Sequence, residues 1–183
     1  MSCTFISETA LNISNTFRLL WEQHGTWTRI TINSLVFNTP DKQANIDRLL
    51  RNPEDFENVF VKFYGPQVAN QFNVLLTEHL VLAADLVNAA VAGNNQQVIQ
   101  IRKRWFRNAV EIARFLSQIN PFNNFGEWKE MLFEHLRLVE QEAIDLINSN
   151  FTTSTNTYDI MEEQILIMAD LMTRGILQQF CII

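Results

Sequence analysis

An all-α fold, an up-and-down bundle of about six helices in one domain spanning residues 1–183, follows from three features of this chain. Helix breakers are scarce, with five Gly and four Pro in 183 residues, too few for the turns of a sheet protein of this size. Leu, Ala, Glu, Gln and Arg fill the long segments, as helix propensity prefers. Apolar residues recur at three- and four-residue steps between the breakers.

The elements follow in order. A first helix is predicted from Thr16 to Phe37, stopped by Asn38-Thr39-Pro40, with about twelve loose residues before it. A second starts near Asp41, is interrupted at Asn52-Pro53, and has a short second piece ending at Tyr64-Gly65-Pro66. A third runs from Gln67 to Ala92 and stops at Gly93-Asn94. A fourth covers Asn95 to Ile119, ending before Asn120-Pro121. A fifth spans Gly126 to Asn148. After a polar turn from Ser149 to Asn156, a sixth continues to Phe180, with the last few residues loose.

Composition narrows the function classes. The 47% hydrophobic content supplies a core, and 19% charged residues exclude a disordered, tail-like chain. A net charge of −6 argues against nucleic acid or an anionic membrane surface as partner. The local exception, Arg102, Lys103, Arg104 and Arg107, reads as a solvated helix face. No stretch of 18 uninterrupted apolar residues occurs, so no membrane span is expected. Residues 1–12 lack the basic and apolar regions of a secretion signal, and Cys3 and Cys181 form no disulfide framework. A cytoplasmic location is the expectation.

The three histidines share a local frame. Leu20-Trp21-Glu22-Gln23-His24, Leu75-Leu76-Thr77-Glu78-His79 and Met131-Leu132-Phe133-Glu134-His135 each place two apolar residues, any residue, Glu or Gln, then His. The near-equal spacing between them predicts a helical hairpin of about 56 residues repeated three times. The first, third and fifth helices would then run parallel, each with an antiparallel return.

Each histidine sits inside an apolar stripe: Phe17, Trp21, His24, Thr28; Phe72, Leu75, His79, Leu82; Leu132, His135, Val139, Glu142. In an antiparallel hairpin, residues equidistant from the turn share a height, which pairs His79 with Asn108 across Gly93-Asn94 and His135 with Gln164 across Ser149. Burying an imidazole or amide without a partner costs about 1–3 kcal/mol. A layer of His24, His79, His135, Asn108 and Gln164 therefore needs a closed hydrogen-bond network or a bound ligand. The metal reading is one divalent transition ion (Fe, Zn, Mn or Ni) held by the three imidazoles, with Glu142 as an oxygen ligand if a neighbouring helix brings it close. Glu78 and Glu134 lie about 100° around their helices and suit supporting or exposed roles. The alternative is a non-catalytic structural or interaction bundle whose polar layer is satisfied internally and whose apolar flank supports a homodimer.

The run Leu20-Trp21-Glu22-Gln23-His24-Gly25-Thr26-Trp27-Thr28-Arg29 resembles the opening of a group of uncharacterised helical proteins from spore-forming bacteria, and the His-lined bundle resembles ferritin-like and DinB-like proteins in architecture. The motifs of the better-known relatives are missing: Glu-x-x-His is absent, as is His-x-x-x-His, and hemerythrin-like sites need more histidines. No Gly-rich phosphate loop supports a kinase or dinucleotide enzyme, and no Gly-x-Ser-x-Gly elbow occurs. The catalytic residues and any small-molecule substrate are not readable; were the chain an enzyme, metal-activated water or thiol transfer would be its chemistry. Trp21, Trp27, Trp105 and Trp128, with Met161, Met168 and Met172, read as core.

Overall fold

The structure, a computed structural model, describes residues 7–182 as six α-helices with no strand among the described residues. They are α1 (Glu8–Phe37), α2 (Lys42–Leu50), α3 (Asn52–Val91), α4 (Asn95–Ile119), α5 (Phe125–Ile147) and α6 (Phe151–Gln179). Cys3 lies outside the described residues, and Cys181 is free and exposed.

The breakers act where the chain reverses. Asn38 closes α1 in the left-handed region, with φ 48°, its backbone N–H bonded to the Ser34 carbonyl. Asn94 and Asn124 cap α4 and α5 by accepting from the backbone N–H three residues on. Within α3, Gly65 has φ 77° and ψ 169°, a region open essentially to glycine alone, and Pro66 follows it. The break is a reversal: Phe60 and Phe72 stack with ring centroids 4.5 Å apart, whereas twelve residues of straight helix would separate them by about 18 Å. Asn70 and Asn73 both reach back to the Glu57 carboxylate. Residues 52–64 and 66–91 are thus two limbs, as the Tyr64-Gly65-Pro66 signal predicts.

Two helices begin earlier than the sequence suggests. α1 starts at Glu8 because Ser7 Oγ accepts from the Ala10 N–H, and its extra turns bury Ala10. The stretch 149–156, read as a polar turn, is helical from Phe151, and Ser154 and Thr157 are buried. Packing overrides the low helix propensity of Ser, Thr and Asn there.

The long helices close a ring: α1 packs on α3, α3 on α4, α4 on α5, α5 on α6 and α6 on α1, while α2 lies against α1 and α3. The first hairpin differs from the other two, since its return limb is split between α2 and residues 52–64. The core holds Phe17, Phe56, Phe60, Phe72, Trp105 and Trp128, all essentially inaccessible. One 18-residue window within Lys42–Val91 averages 1.6 in mean hydropathy, long and apolar enough to cross a membrane by length and composition alone; 44% of it is buried inside the bundle.

α1 and α6 meet beside His24. A Cβ placed on Gly25 would fall 2.3 Å from Ile165 Cδ1 but 3.7 Å from its Cγ1. Gly25→Ala is therefore expected to destabilise by about 1–3 kcal/mol through overpacking, despite the better helix propensity of Ala. Ile165→Val deletes the clashing methyl, so the double variant should be more stable than the sum of the single effects in urea melts; strictly additive effects would contradict the close approach.

Candidate metal centre

Three helices that enter the ring from different positions each carry one histidine to its interior. His24 stands on α1, His79 on the 66–91 limb of α3 and His135 on α5, at 1–2% exposure. Their ring centroids are 5.5 Å (His24–His135) and 6.3 Å (His24–His79 and His79–His135) apart. One nitrogen from each ring lies within 4.8 Å of the others. Three atoms so placed lie within about 2.8 Å of a common point, compared with about 2.0–2.1 Å for a Zn–N bond. A contraction of under about 1 Å per ring closes the difference.

The return limbs hold the rings. Asn52 Oδ1 is 3.1 Å from His24 Nδ1, and Asn52 Nδ2 donates to the Leu20 carbonyl at 3.0 Å. Asn108 Oδ1 is 3.0 Å from His79 Nδ1, and its Nδ2 donates to the Leu75 carbonyl at 3.0 Å. In both, the amide bridges the histidine and the backbone carbonyl four residues before it. A carbonyl only accepts, so the amide must present its NH2 to the backbone and its oxygen to the ring. Nδ1 therefore carries the proton, and the Nε2 lone pair is left for another partner. Gln164 repeats half of this: its Nε2 donates to the Met131 carbonyl, four before His135, at 2.8 Å. Its Oε1 and His135 Nδ1 are buried without a hydrogen-bond partner.

Burial also fixes the charge state. Desolvation lowers the His24 pKa to about 4 against a weaker opposing effect from Asn52. It lowers His79 to about 3, with the nearby His24 adding to the effect, and takes His135 well below its ordinary value, with His24 and His79 contributing. All three imidazoles are neutral near pH 7, the form that binds metals.

The space around the rings is small and apolar. A cavity of about 10 Å³ touches all three histidines and is otherwise walled by residues such as Trp21, Phe72, Leu76, Trp128 and Leu132. That volume accommodates about one water molecule.

Other expected participants lie elsewhere. Glu142 does not join the three histidines; seven residues of helix place it about 10 Å along α5 from His135. It pairs with Arg29, which stacks on Tyr158. Its side chain is fully buried, its Oε2 has no partner, and burial raises its pKa to about 7 against the pull of Arg29. Glu78 and Glu134 are exposed beside Arg104 and Arg137. Arg102 pairs with Glu140, so part of the basic run on α4 is ion-paired. Asn52, read from the sequence only as a helix breaker, is an unforeseen member of the layer. The same equidistance that pairs His79 with Asn108 pairs His24 with Asn52 across Asn38.

No family model, curated protein or solved structure matches this chain.

These shifted pKa values predict how the protein without a bound metal responds to acid. Each histidine has a folded pKa below its unfolded value near 6.5, so its stabilising effect is complete above that pH and drains as pH falls toward 4 and 3. His24 alone accounts for about 3 kcal/mol. Glu142 has the opposite sign: its raised pKa gives stability that is present below its unfolded value near 4.5 and lost as pH rises through 7. Urea melts should show stability falling from pH 6.5 to 4, and Glu142→Gln should make that fall steeper. A flat profile would contradict three buried neutral imidazoles.

Proposed function

We propose that this chain is a metal-binding helical bundle in which His24, His79 and His135 hold one divalent transition ion through Nε2. The observation that carries the reading is the convergence of three buried, neutral imidazoles, two of them with Nδ1 committed to an asparagine oxygen. That arrangement fixes both the tautomer and the ring orientation, as carboxylate or carbonyl acceptors do behind metal-bound histidines. An all-imidazole donor set suits Zn, Fe or Ni better than Mn, which prefers oxygen. The ion would act as a Lewis acid toward a molecule in its remaining position. The adjoining cavity is about water-sized, which favours binding over turnover of a large substrate.

A second reading, a structural layer satisfied internally, is supported by the Asn52 and Asn108 pairs. It fits the third unit less closely, where Gln164 stands as a hydrogen-bond acceptor toward His135 but Gln164 Oε1 and His135 Nδ1 do not close a full hydrogen bond. The proposal includes an architecture of the ferritin-like and DinB-like kind and a cytoplasmic location.

Elemental analysis of protein purified without chelator, and Co(II) reconstitution followed by visible absorption, test the reading. About one equivalent of metal with tetrahedral Co(II) bands is expected, reduced sharply in His79→Ala. Asn108→Ala should retain the site but weaken affinity by about 10–100-fold. Saturating metal at a hundred times Kd should add about 2.7 kcal/mol to stability. Failure of correctly folded protein to take up any of Zn, Fe, Ni or Co would overturn the proposal in favour of the structural layer.

A further inference from the structure

Beyond the imidazole layer, toward the opposite end from the water-sized cavity, the bundle opens a larger space. Ala83 and Val139 lie one turn past His79 and His135, and from there α3, α4 and α5 line a half-open space of about 180 Å³. Three alanines make it: Ala83 and Ala90 on α3 and Ala143 on α5 stand where larger side chains would fill the gap. Trp105, 1% exposed, lines it and lies with its ring 5.5 Å from that of His79.

The chemistry of the walls is one-sided. Among the lining residues only Arg102 and Glu140 are charged, and they bond each other, Arg102 Nε to Glu140 Oε1, at 2.7 Å. The Arg102 guanidinium also lies over Phe106, 4.3 Å from the ring centroid. Ile144 and Ile147, 49% and 36% exposed, line the same space. Besides the charged pair, the one polar side-chain atom among the lining residues is Trp105 Nε1, a buried donor without a partner, so the depth of the pocket offers an inserted polar group little to bond, and an unpaired buried polar group is costly. An ammonium at the charged pair would meet Arg102 and a carboxylate would meet Glu140, so neither sign is favoured.

We propose that this pocket binds the apolar part of a small uncharged ligand, a six-carbon ring or hexyl chain, whose polar end stays near Arg102 and Glu140. The size follows from the volume, since an apolar cavity of about 150 Å³ accommodates benzene. The pocket does not depend on the metal reading, because Trp105 stands between it and His79 and no histidine lines it.

The test titrates 1-hexanol into the full chain, using calorimetry for affinity and intermolecular NOEs to locate the hexyl protons. NOEs to the methyl groups of Ala83, Val139 and Ala143 are expected. Hexylamine and hexanoate at pH 7 should bind at least about fivefold more weakly than 1-hexanol. Ala143→Phe, which fills the space, should weaken 1-hexanol binding by at least about tenfold. Absence of NOEs to those methyls in the wild type overturns the proposal even if Ala143→Phe fails to fold. It is equally overturned by unchanged affinity in a folded Ala143→Phe, by tighter binding of either ion, or by a dimer whose interface occupies the pocket and excludes 1-hexanol.

Discussion

Three imidazoles buried in an apolar bundle set the register of nearly every other element. Each ring must find an acceptor for its Nδ1 proton or lose about 1–3 kcal/mol, and the acceptor must come from the limb packed beside it. Asn52 and Asn108 meet that demand only if the return limbs sit at one height relative to α1 and the 66–91 limb of α3. A shift of one residue would rotate either amide by about 100° out of reach. The constraint extends to the chain path at α2: the helix stops at Leu50, Pro53 opens α3 and Asn52 is delivered to His24 with no exposure. A polar residue next to a proline is ordinarily a surface turn; here the helix start is inside the protein because the imidazole needs it there.

The third unit departs from the other two. Glutamine is one methylene longer than asparagine, so Gln164 donates to the Met131 carbonyl while its oxygen and His135 Nδ1 remain unmatched. His135 consequently has the weakest hydrogen-bond support of the three rings. In a metal reading this gives the site two rigid ligands and one that can adjust, which suits a triangle wider than the bonded one. In a purely structural reading it is a defect, since a half-satisfied buried network is worse than an apolar one. The asymmetry thus bears on function more directly than the two closed pairs do.

The fold class and the path of the chain are legible in the sequence because glycine, proline and asparagine fall where the chain turns, and because the apolar periods between them are long. The pairing of His79 with Asn108 is legible for the same reason: a short turn at Gly93 makes equidistance a measure of height. Asn52 escapes that reasoning when Asn-Pro is taken only as punctuation, although Asn38 offers the same midpoint. Glu142 is placed correctly on the buried stripe of α5, but a stripe says nothing about the opposite wall. Arg29, from α1, claims the carboxylate, and only the packing of α1 near α5 reveals it. The helical start of α6 is illegible because Ser154 and Thr157 are buried by neighbours that local propensity does not represent.

Side-chain size then explains why the two sides of the layer differ. Toward the Gly65 end, residues three or seven positions before the histidines are Trp21, Phe72, Leu76, Trp128 and Leu132, and they close the interior to about 10 Å³. Toward the Gly93 end, Ala83, Ala90 and Ala143 leave about 180 Å³ between α3, α4 and α5. The bulky side leaves room for no more than about one water, and burial there holds the imidazoles neutral. The alanine side leaves a half-open space, rimmed by the exposed Ile144 and Ile147. The small side chains thus account for the difference in open volume on the two sides of the layer.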